Sequence, residues 1–147
     1  MTTPTQLRKI LIVEDSELLQ RMYEVVFRQR RQNGCSLLRA LNGREALQRL
    51  SEHPDTDLIL LDINMPVMSG MEFLAHCKRE QVFHDIPVII VSTEGKHEDT
   101  VRALRGGARG YVTKPFKPHD LHTLIDRIFD AGRTQRAPAL EQAGSVI

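Results

Sequence analysis

Four short apolar runs in this chain each end in a group able to do chemistry. Ile10-Leu11-Ile12-Val13 runs into Glu14-Asp15, and Leu58-Ile59-Leu60-Leu61 runs into Asp62. Val88-Ile89-Ile90-Val91 runs into Ser92-Thr93, and Tyr111-Val112 into Thr113-Lys114-Pro115. Brought together, these ends supply three carboxylates, a hydroxyl and an ammonium. Crowded carboxylates repel and raise at least one pKa, a conflict that a hard divalent cation resolves. Sparse carboxylate ligation completed by water and phosphate oxygens suits Mg2+, whereas Ca2+ asks for more protein oxygens. Asp62 is then a candidate nucleophile toward a phosphoryl group, giving an aspartyl phosphate. Lys114 can pair with one phosphoryl oxygen and Ser92 can donate a hydrogen bond to another. Taken alone, Asp62 could simply end a strand and cap its loop. The other strand ends favour chemistry.

Such ends meet where parallel strands share a carboxyl edge, the place where ligands bind in open α/β sheets. Unbroken apolar runs bounded by turn residues suit strands buried on both faces. They fall at 9–13, from Asp57, after Ile86-Pro87, and at 110–113, with 36–40 a less marked strand. Helices fit the stretches between. Asp15 or Ser16 can cap the first, where Leu18, Met22 and Val25 recur at i, i+4, i+7 with Leu19 and Val26 beside them; it is expected to end within 28–31. Asn42-Gly43 starts a second, with Ala46, Leu47 and Leu50, broken by His53-Pro54-Asp55. A third, from 70 or 71 to 80, buries Phe73, Leu74 and Cys77. A fourth, over 96–105, carries Val101 and Leu104 and stops at Gly106-Gly107. The last starts near Pro118 and places Leu121, Leu124, Ile125 and Ile128 on one face. Five strands alternating with five helices predict an α/β, doubly wound parallel sheet with right-handed crossovers.

The 147 residues suit one domain over 9–131, between a polar tail at 1–8 and a tail at 132–147 expected to be disordered. Twenty Lys and Arg against nineteen Asp and Glu create no field favouring nucleic acid or membrane. Cys35 and Cys77 lack CxxC partners and read as small buried hydrophobes in a reducing compartment. The polar start lacks a signal peptide's apolar core, and no run nears the ~20 residues of a membrane span. The expectation is a soluble cytoplasmic protein. Arg28, Arg30 and Arg31 suit a helix C-terminus better than a nucleic-acid patch. His119 and His122 share a helical face without a carboxylate or Cys beside them, which predicts a solvated pair, not a metal site.

Neither G-x-G-x-x-G nor G-x-x-x-x-G-K-[ST] occurs, so dinucleotide and P-loop nucleotide binding have no cradle. No histidine at another strand end completes a Ser-His-Asp set with Ser92. In combination, Glu14-Asp15, Asp62-Ile63-Asn64-Met65-Pro66 with Gly70, Ser92 and Lys114-Pro115-Phe116 resemble the receiver domain of two-component response regulators. The resemblance covers 9–131. Asn64, the Ser92-Thr93-Glu94 run and Gly110-Tyr111-Val112 are most similar to stand-alone chemotaxis-type, CheY-like regulators.

That resemblance implies a flavodoxin-like (βα)5 fold with strand order 2-1-3-4-5. It implies that Asp62 accepts a phosphoryl group from a sensor histidine kinase or a histidine phosphotransfer protein. Asp15, Asp62 and the backbone carbonyl of Asn64 would ligate Mg2+, with Glu14 acting through water. Ser92 and Tyr111 would form a switch pair, Lys114 would sense phosphate, and the Lys114-Pro115 bond would be cis. Glu14 replaces the commoner Asp and Ser92 the commoner Thr, and both substitutions keep the chemistry. Asn64 and Glu94 fall where similar proteins line the path of the attacking water, so a short-lived acyl phosphate is expected.

The expected output is a protein target docking on the helix at 96–105, the strand at 110–113 and the last helix. Arg102, Arg105 and Arg109 in that region suit an acidic segment. No direct nucleic-acid or membrane binding is expected, and the molecule should be a monomer or a weak phosphorylation-dependent dimer. The residues after Ala131 are too few for a DNA-binding module. A phosphorelay shuttle and a receiver cut from a longer regulator remain alternatives. A haloacid-dehalogenase-type phosphatase would need D-x-D on the first strand, and here Asn64 stands two residues after Asp62. The reading is therefore a signalling switch, not a turnover enzyme.

Overall fold

A computed structural model describes residues 7–93, 97–133 and 141–142. The strands are β1 (Lys9–Val13), β2 (Ser36–Ala40), β3 (Leu58–Leu61), β4 (Val88–Ser92) and β5 (Gly110–Thr113). They pair in parallel in the order β2-β1-β3-β4-β5. β3 and β4 are buried along their whole length, as their unbroken apolar runs require. β2, on the edge, shows a mixed pattern. Helices are α1 (Glu17–Val26), α2 (Arg28–Gln32), α3 (Gly43–Glu52), α4 (Gly70–Glu80), α5 (His97–Arg105) and α6 (Pro118–Arg133).

Alternation along the strands divides the core in two. Ile10, Ile12, Leu58, Leu60, Ile89, Val91 and Val112 pack with Tyr23 and Phe27 beside α6 residues Leu121, Leu124, Ile125 and Ile128. On the other face, Leu11, Val13, Ile59, Leu61, Ile90 and Tyr111 meet Ala46, Leu50, Phe73, Leu74, Cys77 and Ala103. Helix starts follow local sequence. Ser16 Oγ accepts from Leu19 N–H, Asn42 Oδ1 accepts from Glu45 N–H, and Ser69 with Glu72 closes a reciprocal capping box. Both cysteines are buried and free. Among the described residues no helix is long and apolar enough to cross a membrane.

The structure corrects the sequence reading at several points. Leu18, Met22 and Val25 are not the buried face of α1: they are 75, 42 and 60 % exposed. Gln20 and Tyr23, on the opposite side, are buried with Phe27 just beyond the helix. Apolar periodicity marks a stripe but not its destination, and here the two large rings fill the interior instead. The helix stops at Val26, and Arg28–Gln32 forms a separate short helix, so the described residues hold six helices.

Of the histidine pair, His119 is exposed as expected, whereas His122 is half-buried and partnered. Arg30 Nε donates to its Nδ1 at 2.9 Å, its Nε2 lies 2.9 Å from the Val26 carbonyl oxygen, and its ring meets Phe27 edge-on. Arg30 also pairs with Asp126, tying α2 to α6. The last helix continues to Arg133, and Glu141–Gln142 forms a two-residue strand, β6, parallel to β5. The sheet is therefore six-stranded. The rest of the tail expected to be disordered lies outside the described residues, as do 1–6 of the N-terminal tail.

Candidate phosphoacceptor site

Residues from four strand ends meet at the carboxyl edge of the sheet. Glu14 and Asp15 leave β1, Asp62 leaves β3, and one carboxylate oxygen of each lies within 4.8 Å of the other two. Lys114, just past β5, places Nζ 2.7 Å from Glu14 Oε1 and 3.7 Å from Asp62 Oδ2. Ser92, the last residue of β4, is fully buried. Glu14 and Asp62 are also buried, while Asp15 is exposed. One ammonium thus meets two of the three carboxylates.

Burial pushes the Glu14 carboxyl above its ordinary value; the Lys114 hydrogen bond draws it back, and the Asp62 charge pushes it up again. Asp62 is likewise raised by burial, opposed by Lys114 and by backbone N–H groups of Ile63 and Asn64, and raised again by Asp15. Both shifts express the desolvation of negative charge. A hard dication would relieve this conflict, and an all-oxygen, carboxylate-rich donor set is the kind Mg2+ takes. The acidic cluster therefore fits that ion.

The local chain explains the arrangement. Glu14 Oε2 accepts from Ser16 N–H at 3.0 Å, turning the acidic pair into the start of α1. Gln20, which the sequence reading did not single out, holds the same corner. Its Nε2 lies 3.2, 3.0 and 3.3 Å from the carbonyl oxygens of Ile12, Glu14 and Ala40. A buried amide satisfying strand-end carbonyls fixes where the carboxylates project. The signal was a polar residue at helical spacing from Tyr23 and Phe27, visible once those rings are known to face inward.

Gly70 folds the next loop onto the acceptor. Its N–H donates to the Ile63 carbonyl at 2.9 Å, and a Cβ there would overlap the Asp62 carbonyl oxygen. The Lys114–Pro115 bond is cis. Tyr111 is fully buried on β5 and packs in the same core as Ala103 and Ala108. Ser92 and Thr113 are register partners across β4 and β5, which brings the Ser92 strand end beside that of Lys114. Asn64 is exposed in the loop after Asp62. Glu94 lies outside the described residues.

A parallel sheet whose carboxyl edge gathers these acidic, hydroxyl and ammonium groups defines a receiver. The family model for the response regulator receiver domain matches residues 10–126, and the chain belongs to that family. It is 43% identical over 121 residues to the phosphate regulon transcriptional regulatory protein PhoB of Escherichia coli, covering 82% of this chain and 51% of PhoB. The chain spans about half the length of the first such relatives. It is 31% identical over 129 residues to a chemotaxis protein CheY homolog of Campylobacter jejuni, covering 88% of this chain and 98% of that one. Among solved structures, chemotaxis protein CheY4 of Vibrio cholerae superposes with a TM-score of 0.73 at 30% identity, over 83% and 98% of the two chains. A CheY-like receiver domain from Methanospirillum hungatei gives 0.76 at 27%, over 88% and 99%. The five parallel strands in the order 2-1-3-4-5 are those of a CheY-like, flavodoxin-type receiver.

Proposed function

We propose that Asp62 is the phosphoryl acceptor of a two-component switch, loaded by a sensor histidine kinase or a histidine phosphotransfer protein in the cytoplasm. The observation that carries this is the convergence of Glu14, Asp15 and Asp62 with Lys114 Nζ. An Asp62 carboxylate oxygen forms the new P–O bond as the donor's P–N bond breaks, and the imidazole leaves with the former bond pair. Lys114 is within a small movement of the incoming phosphoryl oxygens, and the Ser92 hydroxyl supplies a second donor. Asp15, Asp62 and the Asn64 backbone carbonyl, with Glu14 behind them, are the groups that would hold Mg2+. That ion supplies charge neutralisation when bound.

The exposed stripe of Leu18, Met22 and Val25 begins three residues after Asp15. Exposed apolar patches of this kind mark interaction sites, so the stripe gives the phosphoryl donor a footing beside the acceptor. Output passes through α5, β5 and α6 to a protein target, with Ser92 and Tyr111 as the coupled switch and Arg102, Arg105 and Arg109 giving the region a basic character that suits acidic residues. Asn64, with Glu94, admits the water that discharges the acyl phosphate. The 43% identity to PhoB favours a second format, in which this receiver governs a further domain.

Intact mass after incubation with acetyl phosphate and Mg2+ tests the acceptor. A single phosphoryl adduct is expected in the wild type and none in Asp62→Asn or in EDTA. An adduct retained in Asp62→Asn refutes the assignment.

A further inference from the structure

We propose that the outer edge of β5 is a strand-accepting surface, and that the chain's own segment at Glu141–Gln142 is its resident occupant. That segment would be a tethered competitor for any partner reading the edge. β5 reads Gly-Tyr-Val-Thr and has neither the charges nor the prolines that blunt exposed edges. The Arg109 N–H donates to the Val88 carbonyl on the β4 side at 2.8 Å. Successive residues of a strand alternate direction, so the N–H groups of Gly110 and Val112 turn away from β4. That is the side on which β6 pairs, with Gly110 opposite Glu141 and Tyr111 opposite Gln142.

The path also fits. α6 carries the chain back across the sheet, and a parallel strand after it repeats the crossover joining each earlier pair of strands. A strand tethered in this way faces its edge at an effective concentration on the order of millimolar. The partner class that fits is a protein presenting an extended segment, which would add as a strand after displacing the resident one. Gln142 lies in register with Tyr111, so displacement acts on the backbone of the residue assigned to the switch. The pairing does not depend on chemistry at Asp62, and it stands or falls separately from the phosphoacceptor assignment.

Amide hydrogen exchange on the full chain tests the proposal. Glu141→Pro with Gln142→Pro breaks the pairing, because proline has no N–H for the ladder and its fixed φ does not suit a paired strand. The Gly110 and Val112 amides should then exchange about tenfold faster or more, while those of Leu60 and Leu61 in the central strand keep their wild-type rates. A synthetic peptide spanning residues 137–146, added at millimolar concentration to the variant, should restore the protection. Equal Gly110 and Val112 rates in wild type and variant would overturn the proposal. So would wild-type rates no slower than those of an unstructured peptide, a measurement that needs no variant. Protection that disappears on dilution would assign the strand to a second copy of the chain and also overturn it.

Discussion

Replacing Asp62 with Asn should stabilise the protein at neutral pH when divalent ions are chelated. Asp62 is only 7 % exposed, and its carboxylate lies within 4.8 Å of those of Glu14 and Asp15. At that separation and an effective dielectric near 20, two unit charges repel by about 3.5 kcal/mol. Lys114 Nζ, 3.7 Å away, attracts Asp62 by about 4.5 kcal/mol on the same scale. Repulsion from the two carboxylates together outweighs that single attraction, and the desolvation of a buried carboxylate adds to the cost. Asn keeps the shape and an acceptor oxygen without that cost, for a gain of about 1–2 kcal/mol. In a domain of this size the gain corresponds to a Tm rise of about 4–8 °C.

The pH dependence has a definite sign. Because the native pKa of Asp62 is raised, the folded protein holds its proton more tightly than the unfolded chain. Wild-type stability therefore increases as pH falls through the raised value toward the ordinary one. The Asn advantage should be full near pH 7 and shrink as the pH falls to about 4. Scanning calorimetry in EDTA, on both proteins across that range, measures it. A lower Tm for Asp62→Asn at neutral pH, or an advantage independent of pH, would refute the reasoning.

Gly70→Ala places a Cβ against the Asp62 carbonyl oxygen; it should cost about 1–3 kcal/mol in urea unfolding and slow labelling by acetyl phosphate about tenfold or more. Phe27→Ala empties a fully buried site between Tyr23 and His122 and should lower stability by about 3–5 kcal/mol, read from the urea midpoint. Leu18→Ser with Met22→Ser should change stability by no more than about 0.5 kcal/mol per site. The same pair should slow transfer from a phosphohistidine donor while leaving acetyl phosphate labelling unchanged; equal slowing of both would place the stripe's role elsewhere.

The strands were legible because the apolar runs of β3 and β4 leave few alternatives, and each ends at a chemically distinct residue. The convergence at the candidate site was legible for the same reason, since a parallel sheet brings Glu14, Asp15, Asp62, Ser92 and Lys114 to one edge. The orientation of α1 was not. Leu18, Met22 and Val25 form the cleaner apolar stripe, but Tyr23 and Phe27 have the volume the interior needs, and Gln20 joins them only because strand-end carbonyls require a donor. His122 was misjudged because its partners, Arg30 and the Val26 carbonyl, are almost a hundred residues away in sequence. β6 had no signal of its own, since two residues show no periodicity.

The bond from Lys114 to Glu14 spans 100 positions of sequence. A chain emerging from the ribosome presents all three carboxylates well before Lys114, the cation that the described residues place against them. Domains are made amino end first, at about 5–20 residues per second, so for some seconds the nascent polypeptide carries these three carboxylates without Lys114. An incoming phosphoryl donor, itself an anion, meets net repulsion there. On the proposed assignment, reactivity at Asp62 arrives only with Lys114 at the end of β5, and a fragment ending before β5 should show little labelling by a phosphoryl donor.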